Sequence, residues 1–119
     1  MRKKRVFIPL YKDEVAPRFD LAAEVLIADV SFEEGGVVSE NILLSQPSVN
    51  NLCDLALQKE VDVVICGGIE EQYYHFLRWK RMEVLDNVAG RALSVLDRFS
   101  QGTLKAGDIL FSTEAVHAR

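Results

Sequence analysis

Two short stretches hold the residues best suited to gripping a ligand. The first is Pro17-Arg18-Phe19-Asp20. Arg18 offers a planar fork of donors that could hold an anion through charge-assisted hydrogen bonds, and Phe19 could supply an apolar wall. The second is Cys66-Gly67-Gly68. A Cys66 thiolate could ligate a soft metal such as copper or iron. The two glycines lack Cβ atoms, so another group can approach their backbone closely. Each stretch also has a plainer reading. Phe19 would plug the core edge while Arg18 and Asp20 face solvent or pair locally. Cys66 would be a small apolar filler, as free cysteines often are. Gly67-Gly68 would simply be a tight strand-to-helix turn.

The remaining candidates are weaker. A glycine pair before a helix can cradle an anion, but Glu70 and Glu71 occupy the opening turn and already complement the helix dipole. No Lys-Ser or Lys-Thr follows the glycines, which excludes a Walker loop. His75 falls outside the stripe of Tyr73, Phe76 and Leu77 and reads as a surface histidine. His117 lies in the tail with nothing paired to it in sequence. Cys53 sits on the apolar face of a helix and reads as core. Trp79 is off the inner stripe, where it would cover a rim or meet a partner subunit. No general acid-base pair, nucleophile triad or zinc motif is present.

The elements that must position these residues follow from hydrophobic patterning. Arg5–Leu10 reads as a first strand ended by Pro9, with a polar loop from Tyr11 to Asp20. Val25–Phe32 and Val37–Leu44 read as two more strands joined across Glu33-Glu34-Gly35-Gly36, a hairpin signal. Val49, Leu52, Cys53, Ala56 and Leu57 have helical spacing, with Ser48 as N-cap. Val61–Cys66 is so apolar that both faces should be covered, as at the centre of a parallel sheet. A helix over Glu70–Lys80, a strand over Met82–Leu85 and a helix over Val88–Ser100 follow. The last helix lines up Ala89, Ala92, Leu93, Leu96 and Phe99, with Gly102 placed to end it. The order β-β-β-α-β-α-β-α predicts a mixed α/β sheet with helices on its faces. Arg18 and Gly67 should then border one concavity at the carboxyl ends of neighbouring strands.

Composition narrows the functional classes. The chain has 119 residues, 49% apolar and 27% charged, suiting one ordered domain that buries about two-thirds of its unfolded surface. Net charge is -4 and the pI is about 5.2, so no global field draws it to nucleic acid or an anionic membrane. The basic cluster Arg2-Lys3-Lys4-Arg5 precedes an apolar run too short for a signal-peptide core, and no run is long enough to span a membrane. Two cysteines without a targeting segment suit a reducing cytoplasm. The domain is expected over residues 1–104, with a tail from 105 to 119 in which Ile109-Leu110-Phe111 could add an edge strand or a partner contact.

Three stretches together resemble the dinitrogenase iron-molybdenum cofactor biosynthesis family. They are Val6-Phe7-Ile8-Pro9-Leu10 with Val15-Ala16-Pro17-Arg18-Phe19-Asp20, then Leu26-Ile27-Ala28-Asp29-Val30, then Val61 to Ile69 with the Ala89 to Gly102 segment behind it. The resemblance covers roughly residues 4–104. It implies a three-layer α/β/α ribonuclease-H-like fold with a five-stranded mixed sheet whose second strand is antiparallel. It also implies binding or carriage of a metal-sulfur cluster, not catalysis. The cluster would be an iron-molybdenum-sulfur or molybdenum-copper-sulfur one, or a related small anion. Arg18 stands where nitrogenase-cofactor carriers usually have a histidine, and the chain looks closer to the broader group that includes the orange protein. Arg18 would supply charge, Phe19 a wall, Cys66 a sulfur donor to metal, and Gly67 and Gly68 close backbone contact. The expected state is a cytoplasmic monomer or weak homodimer, with a protein partner in cofactor assembly. Two rivals are an interaction module without metal cargo and a ribonuclease-H-like nuclease. The nuclease needs carboxylates around paired hard cations, and Arg5–Leu10 contains none.

Overall fold

The computed structural model describes residues 3–33 and 35–110. Its strands are β1 (Lys3–Tyr11), β2 (Glu14–Val15), β3 (Glu24–Ser31), β4 (Val37–Leu43), β5 (Val63–Ile65) and β6 (Glu83–Leu85). The helices are α1 (Val49–Gln58), α2 (Glu71–Trp79) and α3 (Ala92–Ser100), with a 3₁₀ turn at Phe19–Leu21. The strands form one six-stranded sheet in the order β4-β3-β1-β5-β6, and β2 adds to β1 as a hairpin. β3 is antiparallel to both β1 and β4, whereas β5 is parallel to both β1 and β6. The expected five strands are therefore present, and Glu14–Val15 is an addition. The mixed α/β architecture and the central place of Val63–Ile65 match the sequence patterning.

Alternation along the strands divides the core in two. Phe7, Val25, Ile27, Val64 and Cys66 pack with Leu52, Ala56 and Leu77 of α1 and α2. Val6, Ile8, Leu26, Ala28, Val63 and Ile65 pack with Ala92, Val95 and Leu96 of α3. Because successive side chains point to opposite faces, one hydrophobic sheet feeds both helical layers. Ser48 caps α1 by accepting from the Asn51 N–H at 3.0 Å, satisfying one of the orphan donors of its first turn.

Three expectations need correction. β1 continues through Pro9 to Tyr11. The edge of β1 that Pro9 faces is the one paired with β5, and β5 reaches only Val6 and Phe7. On the same edge Pro9 meets the extension of β2 as an acceptor only: its carbonyl accepts from the Ala16 N–H at 2.9 Å, and it has no N–H to return. α3 begins at Ala92, four residues later than its periodicity suggests. The Val88 N–H donates to Cys66 and the Ala89 N–H to Asp108. Gly90 adopts φ +138° with Leu110 packed against it, a geometry that holds this segment out of the helix. Leu93 consequently points outward at 70% exposure, and Val95 takes the buried position. The strand over Val61–Cys66 is regular only from Val63 to Ile65. Val61 instead donates to the Ala56 carbonyl and closes the end of α1.

Ile109 bridges to Ala89, and the Leu110 N–H donates to the Ala89 carbonyl, so the segment up to Leu110 folds back on the domain. Phe111 and His117 lie outside the described residues. Among the described residues, no helix is long and apolar enough to cross a membrane.

Candidate functional site

The loops leaving the carboxyl ends of β1, β5 and β6 are stitched together by their backbones. The Gly68 N–H donates to Pro17 O at 2.7 Å, and the Phe19 N–H donates to Gly68 O at 2.8 Å, forming a parallel bridge between Arg18 and Gly68. The Asn87 N–H donates to Gly67 O at 2.9 Å, which draws in the turn after β6. Gly67 is required by close approach. A Cβ there would overlap the Ala16 carbonyl oxygen and stand 2.6 Å from Pro17 O. Gly68 has more room, with Pro17 O at 3.4 Å. The two sequence stretches singled out for chemistry thus meet directly. The space beside Gly67 is occupied by the chain's own loop.

The side chains at this junction divide by burial. Arg18 projects outward with 60% of its side chain exposed, and its fork engages Asp20 through Nε at 3.2 Å and Nη2 at 2.9 Å. Phe19 is buried in the core layer beneath α1 and α2 and anchors the loop. Cys66 is fully buried in the same layer. Burial, with a smaller contribution from Asp86, pushes its thiol up to about 12. Cys53 is likewise buried, and burial followed by Asp54 raises it to about 11. Neither thiol is a ready thiolate near neutral pH. His75 is exposed on α2, 3.7 Å from Glu71 and edge-on to Tyr74. Trp79 is also exposed, with the Lys80 ammonium 4.8 Å from its ring centroid. Among the described residues, no three His, Cys, Asp or Glu side chains are grouped to hold a metal ion.

Sequence reasoning passed over Arg91. It lies just before α3 and is bridged to Glu14. It borders a concavity of about 340 Å³ with Tyr11, Lys12 and Asp13, and another of about 470 Å³ between α3 and β4. The Ala92 N–H donates to Asp13 O at 2.8 Å, pinning α3 to the hairpin of β1 and β2. The one signal in sequence was an arginine following Gly90. Its position depends on a pairing across more than seventy residues.

Comparison with known proteins accords with this architecture. The dinitrogenase iron-molybdenum cofactor family model matches residues 2–102. The chain belongs to that family. Among solved structures, PH0822 superposes with a TM-score of 0.76 at 22% identity, covering 86% of this chain and 93% of that one. A Methanocaldococcus jannaschii protein provisionally named a dinitrogenase gives 0.70 at 20% identity, with coverages of 88% and 95%. A Thermotoga protein provisionally named NifB, of the DUF35 family, gives 0.60 at 22% identity, with coverages of 92% and 98%. At these identities the likeness is one of fold. No curated protein matches the chain.

Proposed function

We propose that this chain binds or carries an anionic metal-sulfur cluster, or a related small anion, during cofactor assembly in the cytoplasm. The observation that carries the reading is the placement of Arg18. In a chain of the iron-molybdenum cofactor family, a largely exposed guanidinium stands on the stitched junction of the β1 and β5 loops. Ligands of open α/β sheets collect at such carboxyl ends. Asp20 holds the fork in its bidentate geometry, and an incoming anion would replace that carboxylate oxygen for oxygen or sulfur. Phe19 and Gly67 and Gly68 contribute by fixing the Arg18 backbone.

Cys66 adjoins the junction, but its thiol is sealed and protonated. Ligation of metal by Cys66 would require the Cys66-Gly67-Gly68 turn to open. We therefore assign the sulfur to the cluster's own sulfides and the holding force to charge. We read the scaffold as a ribonuclease-H-like α/β/α fold. Its five principal strands run third, second, first, fourth, fifth across the sheet, with the second antiparallel. A non-enzymatic role is favoured because β1 carries no carboxylate for two-metal chemistry.

The test is anaerobic uptake of tetrathiomolybdate by the parent, Arg18→Ala and Asp20→Asn. Arg18→Ala should weaken uptake, with a deficit that shrinks at high salt. Asp20→Asn should strengthen uptake by removing the competing carboxylate. Equal uptake by all three, or none by the parent, would favour an interaction module instead.

A further inference from the structure

The outer edge of β4 is open and its sequence is symmetric. Pairing with β3 is bracketed by Ser31 N–H to Gly36 O at 2.9 Å and Leu44 N–H to Ala23 O at 2.8 Å. With the register Ile27↔Glu40, these bonds assign the N–H and C=O groups of Val38, Glu40 and Ile42 to β3. The groups of Val37, Ser39, Asn41 and Leu43 therefore point outward, four donors and four acceptors along a seven-residue edge. β4 is exposed on both faces. Val38 is 75% exposed on the α1 side, and Leu43 is 77% exposed on the α3 side. Among the described residues, no strand pairs with this edge. Edge strands are normally blunted by lysine, proline or a bulge, and β4 has no lysine or proline.

Read outward from Glu40, the strand runs polar, apolar, apolar in both directions: Ser39, Val38, Val37 one way and Asn41, Ile42, Leu43 the other. We infer that β4 is a homodimerisation edge, pairing antiparallel with β4 of a second copy about a two-fold axis through Glu40. In that register Val37 meets Leu43 and Ser39 meets Asn41, and these pairs exchange eight backbone hydrogen bonds. Val38 meets Ile42 between them. A one-residue shift sets outward groups against inward ones, and a two-residue shift sets Glu40 against Val38 or Ile42, so the pattern itself selects the register. The backbone row would suit any strand, and it is the side-chain order, symmetric about Glu40, that selects a second copy. The one opposing contact is Glu40 against its symmetry mate. Lys59 lies 3.9 Å from Glu40 in each copy, so the four charges run Lys-Glu-Glu-Lys across the joint. The result is a continuous sheet of ten principal strands, held by a narrow interface that responds to concentration.

Sedimentation of the full chain from micromolar to sub-millimolar concentration tests this, with hydrogen exchange on the same samples. The parent should dimerise as concentration rises. The amides of Val37, Ser39, Asn41 and Leu43 should then gain protection to match Val38 and Glu40. Ser39→Pro removes only an outward donor, which an edge strand tolerates. It should keep the parental far-UV spectrum and weaken the dimer by at least about tenfold, through two lost hydrogen bonds per dimer. Glu40→Gln should tighten it by up to about fivefold, the scale of a cross-strand like-charge contact. Val38→Lys, a surface change that leaves β3 pairing intact, should also weaken it. A parent that stays monomeric throughout overturns the inference. So does a dimer unaffected by both weakening variants, or one whose four outward amides still exchange freely.

Discussion

Replacing Gly67 by alanine should separate close approach of the loop from mere turn geometry. The new Cβ would overlap Ala16 O and stand 2.6 Å from Pro17 O and 2.9 Å from Pro17 C, all of them backbone atoms. Nothing flexible can move aside, so the loop over Ala16–Arg18 must withdraw. Overpacking of this kind costs about 1–3 kcal/mol. Withdrawal also breaks the paired bonds between Gly68 and Pro17 and between Phe19 and Gly68, worth about 1 kcal/mol each. A total of about 3–5 kcal/mol is expected. For 119 residues, the unfolding entropy is about 250 cal/mol/K, so each kcal/mol lowers Tm by about 4 °C. Gly67→Ala should therefore melt about 12–20 °C below the parent. Gly68→Ala is the control, because its Cβ would meet only Pro17 O at 3.4 Å. It should stay within about 0.5 kcal/mol of the parent. Thermal and urea unfolding followed by circular dichroism measure both. Equal losses in the two variants, or a Gly67→Ala protein as stable as the parent, would refute the packing account of this junction.

Phe19→Ala, which empties a fully buried site beneath α1 and α2, should cost about 3–5 kcal/mol by urea unfolding; a loss under about 1 kcal/mol would show that Phe19 does not anchor the loop. Cys53 and Cys66 should react slowly with a disulfide reagent near neutral pH, because burial holds their thiols at about 11 and about 12; a native thiol that reacts as fast as in urea would contradict this. Since folding raises these pKa values, their contribution to stability is full below the unfolded thiol value of about 8.5 and is lost as pH rises toward about 12, which a series of alkaline unfolding curves would register. Asp29 behaves oppositely. Its hydrogen bond from Arg5 at 2.8 Å, aided by charge and opposed by burial, holds its pKa below the usual carboxylate range. Its contribution is therefore present above an unfolded value of about 3.9 and lost as pH falls through the lower folded value, and Asp29→Asn should remove that part of the acid transition. An Asp29→Asn protein with an unchanged acid limb would show the pair to be energetically silent.

Much of the architecture was legible because β-branched runs and glycine turns act locally. Val61 to Gly67 announced a buried central strand ending in a close approach, and the structure has both. What approaches Gly67 is the chain's own Ala16–Pro17 segment, a tertiary fact that spacing alone does not carry. The start of α3 was misread because Val88, Ala89 and Ala92 imitate a helical stripe. Val88 and Ala89 are instead tied to Cys66 and Asp108, and long-range hydrogen bonds leave no periodic trace. Pro9 was read as a strand end, but β1 runs through it because β5 stops short of it, the pairing of β1 with β3 continues to Leu10, and the Pro9 carbonyl still accepts from Ala16. Arg18 and Gly67 were expected to border one concavity; their loops do meet, through the bridge of Arg18 to Gly68, but Ala16 and Pro17 fill the space beside Gly67. Arg91 went unnoticed because its neighbours at the β1–β2 hairpin come from the other end of the sequence.

The most direct test of the proposed function is an anaerobic amide NMR titration of the full chain with tetrathiomolybdate. The account predicts saturable shifts concentrated at Arg18, Phe19, Gly67 and Gly68, and their loss in Arg18→Ala while the remaining spectrum stays folded. Shifts centred on other surfaces, or an Arg18→Ala protein that titrates like the parent, would contradict it.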